Sequence, residues 1–479
     1  SFSRDGFPSW SPDGSHIAFV RTPGGGGEPD SILMRKHQPW SIWSGDVKTA
    51  LATQLWKAPK TLAGSFPTTH GLTNLNWAAE GRITFLSYHD GWPHLYSIPE
   101  KGGEPLLLTQ GKFMVEYVKL SPDKKTLVFC ANHGPDPLDI DRRHVISVPV
   151  SKATMTQVGQ GPGLEWAPVV TGKNEIVAIA ADAQTPPTLV ALVAGKPVRI
   201  GDELIPANYP KSKLIIPRQV TFKSPDGFTI HGQLFDPAPG DLRKKPAIIY
   251  VHGGPPRQML LGWHYSDYYS NAYASNQYLT SLGFVVLVVN YRLGIGYGYD
   301  FHQPDKAGTA GASEYIDIKA AGQWLASQPN VDASKIGIYG GSYGGYLVAM
   351  ALARDSKIFA AGVDIHGVHD RTIERTRGIV APDKYERAPD ADQAAKVAWE
   401  SSPVAYVSTW TSPVLIIHGD DDRNVRFSQS TDLVRRLEKK GVPFETLVIV
   451  DDTHHWMKFS NAIKVYGATA EYFVRKLKK

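Results

Sequence analysis

The chain has 479 residues, 42% of them hydrophobic, and a formal net charge of +5, with basic residues dispersed except in the tail Arg475-Lys476-Leu477-Lys478-Lys479. That length supplies two domains with buried cores, and the dispersed charge offers no basic–aromatic stripe for nucleic acid. No run of about 20 apolar residues spans a membrane, no stretch reads as a signal peptide, and Cys130, the only cysteine, excludes an intrachain disulfide.

Residues 1–207 read as a β-propeller-like repeat domain, with short β-prone runs broken by Gly, Pro, Asp and Ser. Trp10-Ser11-Pro12-Asp13-Gly14 leads into Ile17-Ala18-Phe19-Val20, and Trp77-Ala78-Ala79-Glu80-Gly81 into Ile83-Thr84-Phe85-Leu86. Leu120-Ser121-Pro122-Asp123-Lys124 leads into Leu127-Val128-Phe129, and Trp166-Ala167-Pro168, through Thr171-Gly172-Lys173, into Ile176-Val177-Ala178-Ile179. The last three units recur at the interval of propeller blades. The first interval is longer and holds the Gly24–Gly27 run, read as a loop insertion. Each turn sets up a strand that needs neighbours to bury its face, and Trp92 and Tyr96 are candidates for the packing between blades. About four blades are countable, against the 4 to 8 of closed propellers. The pattern opens at Ser1 in mid-repeat, so an incomplete propeller is expected, with a compact four-blade arrangement as the alternative.

Residues 208–479 change character, with apolar runs alternating with helical stretches. Ala247-Ile248-Ile249-Tyr250-Val251 precedes His252-Gly253-Gly254-Pro255, and Phe284 to Val289 precedes Asn290-Tyr291-Arg292. Lys335-Ile336-Gly337-Ile338-Tyr339 runs into Gly340-Gly341-Ser342-Tyr343-Gly344-Gly345-Tyr346 and an apolar helix from Leu347 to Ala353. That is the setting of a nucleophile elbow, where glycines flank a serine in a sharp strand-to-helix turn. Ala360 to Ile365 is followed by His366 and His369, read as structural because they precede the acid. Pro413 to Gly419 is followed by Asp420, Asp421 and Asp422, and Thr446 to Val450 by Asp451-Asp452-Thr453-His454-His455. The order Ser, Asp, His is that of α/β-hydrolases, and all three groups lie past the carboxyl ends of strands, where open α/β sheets place their chemistry. A serine hydroxyl needs a histidine to take its proton, and the histidine needs a buried carboxylate to fix its tautomer. Backbone amides are suited to hold the oxyanion, and the amide of Tyr343, next after the nucleophile, is one donor.

From about Pro217 onward the chain resembles the catalytic domain of the prolyl oligopeptidase family of serine peptidases. The likeness is carried by His252-Gly253-Gly254-Pro255, Asn290-Tyr291-Arg292, the Gly-Gly-Ser-Tyr-Gly-Gly-Tyr elbow and His418-Gly419-Asp420-Asp421-Asp422-Arg423-Asn424-Val425. The resemblance implies Asp422 as the acid and His454 as the base, with His455 as runner-up. It implies Gly254 as the second oxyanion donor, with His252 standing where some relatives place a tyrosine. Arg292, Tyr346, Asn424 and Val425 become substrate-binding candidates around an apolar pocket, although the usual Arg-Gly-Ser continuation is replaced by Arg292-Leu293-Gly294-Ile295-Gly296. It further implies short peptide substrates, no cofactor or metal, and association into a homo-oligomer through the hydrolase domain. Relatives carry seven or eight blades, which strengthens the expectation of missing ones. The family's dipeptidyl peptidases hold a substrate amine with adjacent glutamates; this chain has no Glu-Glu pair, and acylaminoacyl peptidase behaviour fits the His-Gly-Gly-Pro loop better. The lone thiol suits cytosol or periplasm, with periplasm or secretion the expected side. A metal role for the His454–His455 cluster is disfavoured by the absence of a His-Glu-x-x-His helix. Two other readings stay open: an esterase on the same triad, and a propeller binding protein with an idle hydrolase domain.

Overall fold

The computed structural model describes residues 3–193, 196–376 and 387–478. These fall into two compact bodies: the described residues of 1–29, 34–209 and 295–300, and those of 30–33, 210–294 and 301–479.

The first body is four four-stranded antiparallel sheets in which strand order follows chain order. Blade 1 comprises Ser3–Trp10, His16–Pro23, Ser41–Asp46 and Ala52–Lys57, and blade 2 Asn76–Trp77, Arg82–Ser87, His94–Pro99 and Leu106–Leu107. Blade 3 comprises Val115–Leu120, Thr126–Ala131, His144–Pro149 and Thr156–Gln157, and blade 4 Leu164–Val170, Ile176–Ala181, Thr188–Val193 and Lys196–Ile200. This is the partial propeller expected from the repeats. The repeated Ser-Pro-Asp turn has a physical basis. Ser11 Oγ donates to Asp13 (2.7 Å) and accepts from the His16 amide (2.9 Å). Ser121 Oγ repeats both bonds, with Asp123 (2.6 Å) and the Thr126 amide (3.0 Å). The longer first interval has two sources, residues 24–40 inside blade 1 and 58–75 between blades 1 and 2.

Apolar faces pack blade against blade. Trp40, Ile42, Trp77, Phe85 and Tyr96 join blades 1 and 2, Leu86, Phe113, Leu127 and Phe129 join blades 2 and 3, and Val128, Val145, Ala178 and Val190 join blades 3 and 4. Tyr96 therefore fills the interblade core as expected. Trp92 lies instead against Gly298, where a Cβ would sit 3.3 Å from its ring. Blades 3 and 4 also share a buried ionic link. His144 Nδ1 lies 2.8 Å from Glu165 and its Nε2 3.1 Å from Asp139.

The second body is built on an eight-stranded sheet: β1 (Arg218–Lys223), β2 (Thr229–Phe235), β3 (Lys245–Val251), β4 (Val285–Asn290), β5 (Val331–Gly341), β6 (Ala361–Ile365), β7 (Val414–Gly419) and β8 (Phe444–Ile449). Strand order is β1-β2-β4-β3-β5-β6-β7-β8. The β1–β2 hairpin and the β2–β4 pairing are antiparallel, and β4 through β8 run parallel by way of β3. Helices cover both faces, so the central strands are apolar along their length instead of alternating. The principal helices are α1 (Asp267–Ser281), α2 (Tyr315–Ala326), α3 (Tyr343–Asp355), α4 (Ser428–Lys440) and α5 (Phe459–Leu477). This is an α/β-hydrolase sheet, and it brings the loops after β3, β5, β6, β7 and β8 to one edge. Among the described residues no helix is long and apolar enough to cross a membrane.

Candidate active site

Ser342 joins β5 to α3 with φ 59° and ψ −120°, a conformation that is costly for any residue with a Cβ. The surrounding glycines make the turn sterically feasible. A Cβ at Gly340 would lie 2.3 Å from the Val251 carbonyl oxygen, and one at Gly344 would lie 2.1 Å from the same atom. The elbow is pinned on both sides: the Ser342 amide donates to Ile365 O (2.9 Å) and the Tyr346 amide to Ser342 O (3.0 Å). The helix thus begins directly after the serine, four residues before the apolar run that marked it in sequence.

His454 Nδ1 donates to Asp422 Oδ2 at 2.6 Å, and both side chains are buried. The other carboxylate oxygen accepts from the amides of Asn424 (2.8 Å) and Val425 (2.9 Å). His418 Nε2 adds a contact of 3.3 Å. Burial opposes ionisation of Asp422, but bonds from His418, His454 and the Val425 amide outweigh it and hold the carboxyl well below its ordinary range. His455 is exposed, so of the two adjacent histidines it is His454 that meets the acid. Asp420 accepts from the Asp451 amide (2.8 Å) and Asp421 pairs with Arg423 (3.2 Å), which makes both turn residues. Asp452 shapes the base loop, accepting from the Thr453 and Met457 amides (2.7 Å each) and from Asn461 (2.6 Å).

The loop after β3 lies against the elbow. A Cβ on Gly253 would come within 3.3 Å of Ser342 Cβ, and Gly254 follows with φ 113°. His252 is fully buried and stacked on Tyr291 at 4.3 Å, and burial lowers it to about 4. Tyr343 and Tyr346 are buried in edge-to-face contact at 5.0 Å. Tyr343 Oη donates to Glu314 (2.6 Å), Tyr346 Oη donates to Ser401 O (3.0 Å), and Arg371 lies over both rings at 5.0 and 4.7 Å. Asn424 is exposed and Val425 buried, both tied to Asp422 through their amides.

Arg292 is committed elsewhere. Its Nε donates to Asp317 (2.9 Å), Nη1 to Asp226 (2.5 Å), and Nη2 to Asp317 (2.6 Å), Asp226 (2.7 Å) and Ser224 (3.0 Å). Its ring-plane partner is Phe228 at 4.4 Å, and 2% of the residue is exposed. These bonds tie Arg292 to three segments of the fold.

Tyr268, Glu314 and Arg371 escaped the sequence reading, and His366 was read there as structural. The His366 ring stacks on His454 with centroids 4.1 Å apart and 32° between planes. A histidine after β6 carries no local motif, and only the parallel pairing of β6 with β7 brings it beside the base. His369, by contrast, is structural as expected, bonded to Asp364 (2.6 Å) and Gln429 O (3.0 Å). His366, Asp422 and His454 place ligand-type atoms within 4.8 Å of one another. The two ring planes are tilted by 32°, and Asp422 is already engaged by His454 and by two backbone amides.

Comparison with known proteins finds matches for both parts of the chain. Residues 270–479 match the model of the prolyl oligopeptidase family, and residues 45–175 that of the dipeptidyl peptidase IV N-terminal region. Residues 270–479 thus carry the hydrolase domain of the prolyl oligopeptidase family. Among the prolyl oligopeptidase relatives it resembles, dipeptidyl aminopeptidase BIII of Pseudoxanthomonas mexicana is 29% identical over 60% of this chain and 41% of its own length. Acylamino-acid-releasing enzyme 1 of Oryza sativa subsp. japonica is 22% identical over 94% of this chain and 55% of its own length. The chain thus spans about half the length of these curated relatives. In fold it is similar to a puromycin-hydrolyzing peptidase of Mycobacterium tuberculosis, with TM-score 0.77 and 19% identity over 99% of this chain and 71% of that one.

Proposed function

We propose that this chain is a serine peptidase that cleaves short peptides through Ser342, His454 and Asp422. The observation that carries the reading is the 2.6 Å bond from His454 Nδ1 to Asp422, at the same sheet edge as a serine held at φ 59°. With its Nδ1–H donated in a hydrogen bond to the Asp422 carboxylate, neutral His454 presents Nε2 as a base. Ser342 Oγ bonds to the carbonyl carbon as its proton passes to Nε2, and the carbonyl electron pair moves onto oxygen. The amides of Gly254 and Tyr343 are the proposed donors to that oxyanion. Collapse breaks the C–N bond, and the leaving amine takes the proton from His454. Water then attacks the acyl-enzyme, giving its proton to His454, which returns it to Ser342 as the carboxylic acid leaves. Tyr343, Tyr346 and Val425 are the proposed apolar wall for the residue before the scissile bond, with Asn424 at its rim.

The named relatives act at opposite kinds of amino terminus: one is a dipeptidyl aminopeptidase, the other releases acylated amino acids. The test is hydrolysis of matched chromogenic peptide anilides, one with a free amine and one acylated. Turnover of either, lost on the order of 10⁶-fold in kcat in Ser342→Ala, supports the peptidase. Turnover of the matched ester alone would make it an esterase, and full activity of Ser342→Ala would remove the triad assignment.

A further inference from the structure

The base of the proposed triad has a neighbour on its ring face that takes no part in the proton relay. His366 follows β6, fully buried, with φ 41° and its amide donating to Ile417 O at 2.7 Å. A non-glycine residue at that φ is held there by its surroundings. Its ring lies against His454 at 4.1 Å, with 32° between planes, and against Trp456 at 5.1 Å, with 35°. One nitrogen is fixed: Nε2 lies 2.8 Å from the hydroxyl of Tyr268 on α1. The other, Nδ1, is buried with no hydrogen-bond partner, an arrangement usually costly for a polar atom. Tyr268 is in turn wedged against the elbow, where a Cβ on Gly341 would lie 2.0 Å from its oxygen. One hydroxyl therefore touches both the strand that carries Ser342 and the ring that backs His454.

We propose that His366, oriented by Tyr268, is a positioning residue for His454, and that its uncharged ring fixes the plane of the base and stabilises the imidazolium formed as Ser342 gives up its proton. This rests on the peptidase reading above. Two consequences of the geometry support it. The Tyr268 hydroxyl can pair with Nε2 as donor or as acceptor, so the bond holds in either tautomer of a neutral His366 ring. The π face of a neutral ring attracts a cation stacked on it, whereas a charged ring would repel it. The groups facing His366 are His454 and His455 from the loop after β8, His418 from the end of β7, Asp422 from the loop after it, and Tyr268 from α1. Burial, with His454 and His418 next in weight, keeps its ring far below ordinary histidine basicity, so it stays neutral while His454 cycles.

The experiment is the rate of Ser342 labelling by a fluorophosphonate, resolved into a maximal inactivation rate and an apparent binding constant, for the full chain. His366→Ala should lower the maximal rate by at least about tenfold with the binding constant changed less than twofold. His366→Phe keeps a neutral ring face and should restore the rate to within about threefold of wild type. Tyr268→Phe, which keeps the packing and removes the hydroxyl, should fall between them. Thermal midpoints identify any variant that fails to fold, in which case Tyr268→Phe decides alone. A wild-type rate in His366→Ala or Tyr268→Phe, or an equal loss in folded His366→Ala and His366→Phe, overturns the positioning role while leaving the peptidase intact. Wild-type protein that neither labels nor turns over anilide overturns the peptidase reading and this role with it.

Discussion

Asp422 illustrates how much of the candidate chemistry rests on single atoms. Its Oδ1 is filled by two backbone amides and its Oδ2 by His454, so the carboxylate serves loop and base at once. Asp422→Asn keeps the shape, but presents an amide N–H to His454 Nδ1, forcing the tautomer that carries its proton on Nε2. We expect kcat to fall by about 10⁴-fold with KM little changed, measured by steady-state anilide hydrolysis. Asp422 could be picked out as the candidate acid because the aspartate run follows a buried strand and matches a family pattern at its last member. His454 was legible over His455 only through that pattern, since both follow the same strand and only packing buries one of them. His366 was not legible, because its contact with the base depends on strand pairing across β6, β7 and β8. Glycine spacing predicted the elbow; the 2.1 Å clash at Gly344 gives its physical reason. Gly344→Ala should therefore yield little soluble, active protein, checked by expression and melting.

At the scale of elements, the loop that follows β4 shows where motif and function part. Asn290-Tyr291-Arg292 marks the end of a buried strand, and the sequence placed an arginine near the chemistry. Its partners, Asp226 and Asp317, come from the β1–β2 turn and from α2, far apart in sequence, so no local pattern could reveal that the charge was already paired. Arg292→Met leaves fully buried Asp317 without its cation. We expect a loss of about 3–5 kcal/mol in denaturant unfolding, with the KM of remaining folded enzyme unchanged. A raised KM at normal stability would return Arg292 to the substrate. The blade turns were the opposite case. In two of the four units the Ser-Pro-Asp signature is local hydrogen bonding, Ser11 with Asp13 and Ser121 with Asp123, so those turns were visible from residues alone. The short outer strand Thr156–Gln157 carries too few residues to show any periodicity.

For the whole molecule, the ionic link between blades 3 and 4 sets a pH dependence of stability. Both nitrogens of His144 face carboxylates. Burial disfavours its charge, but the bonds to Asp139 and Glu165 outweigh burial and raise it to about 9. A folded-state value above the unfolded value of roughly 6.5 means that the imidazolium stabilises fully below that pH. The contribution is lost as pH rises from there through about 9. Urea midpoints should decline over that window, and His144→Gln should be less stable at pH 6 and flatten the decline. The general architecture, repeats then hydrolase, was readable from where the apolar runs stop alternating with turns and start alternating with helices. The excursions at 30–33 and 295–300 were not, because both are short, glycine- or proline-flanked segments whose partners are distant in sequence.

The positive φ of Ser342 also bears on how an inactive form should be made. The backbone there stores about 1–3 kcal/mol, and alanine inherits it with the β-carbon. Glycine releases most of it, offset by about 0.4–1 kcal/mol of added freedom in the unfolded chain. Ser342→Gly should therefore melt above Ser342→Ala and at or above wild type. The nucleophile position would then be a place where the protein exchanges robustness for reactivity, and the glycine form the sturdier trap for capturing an intact peptide.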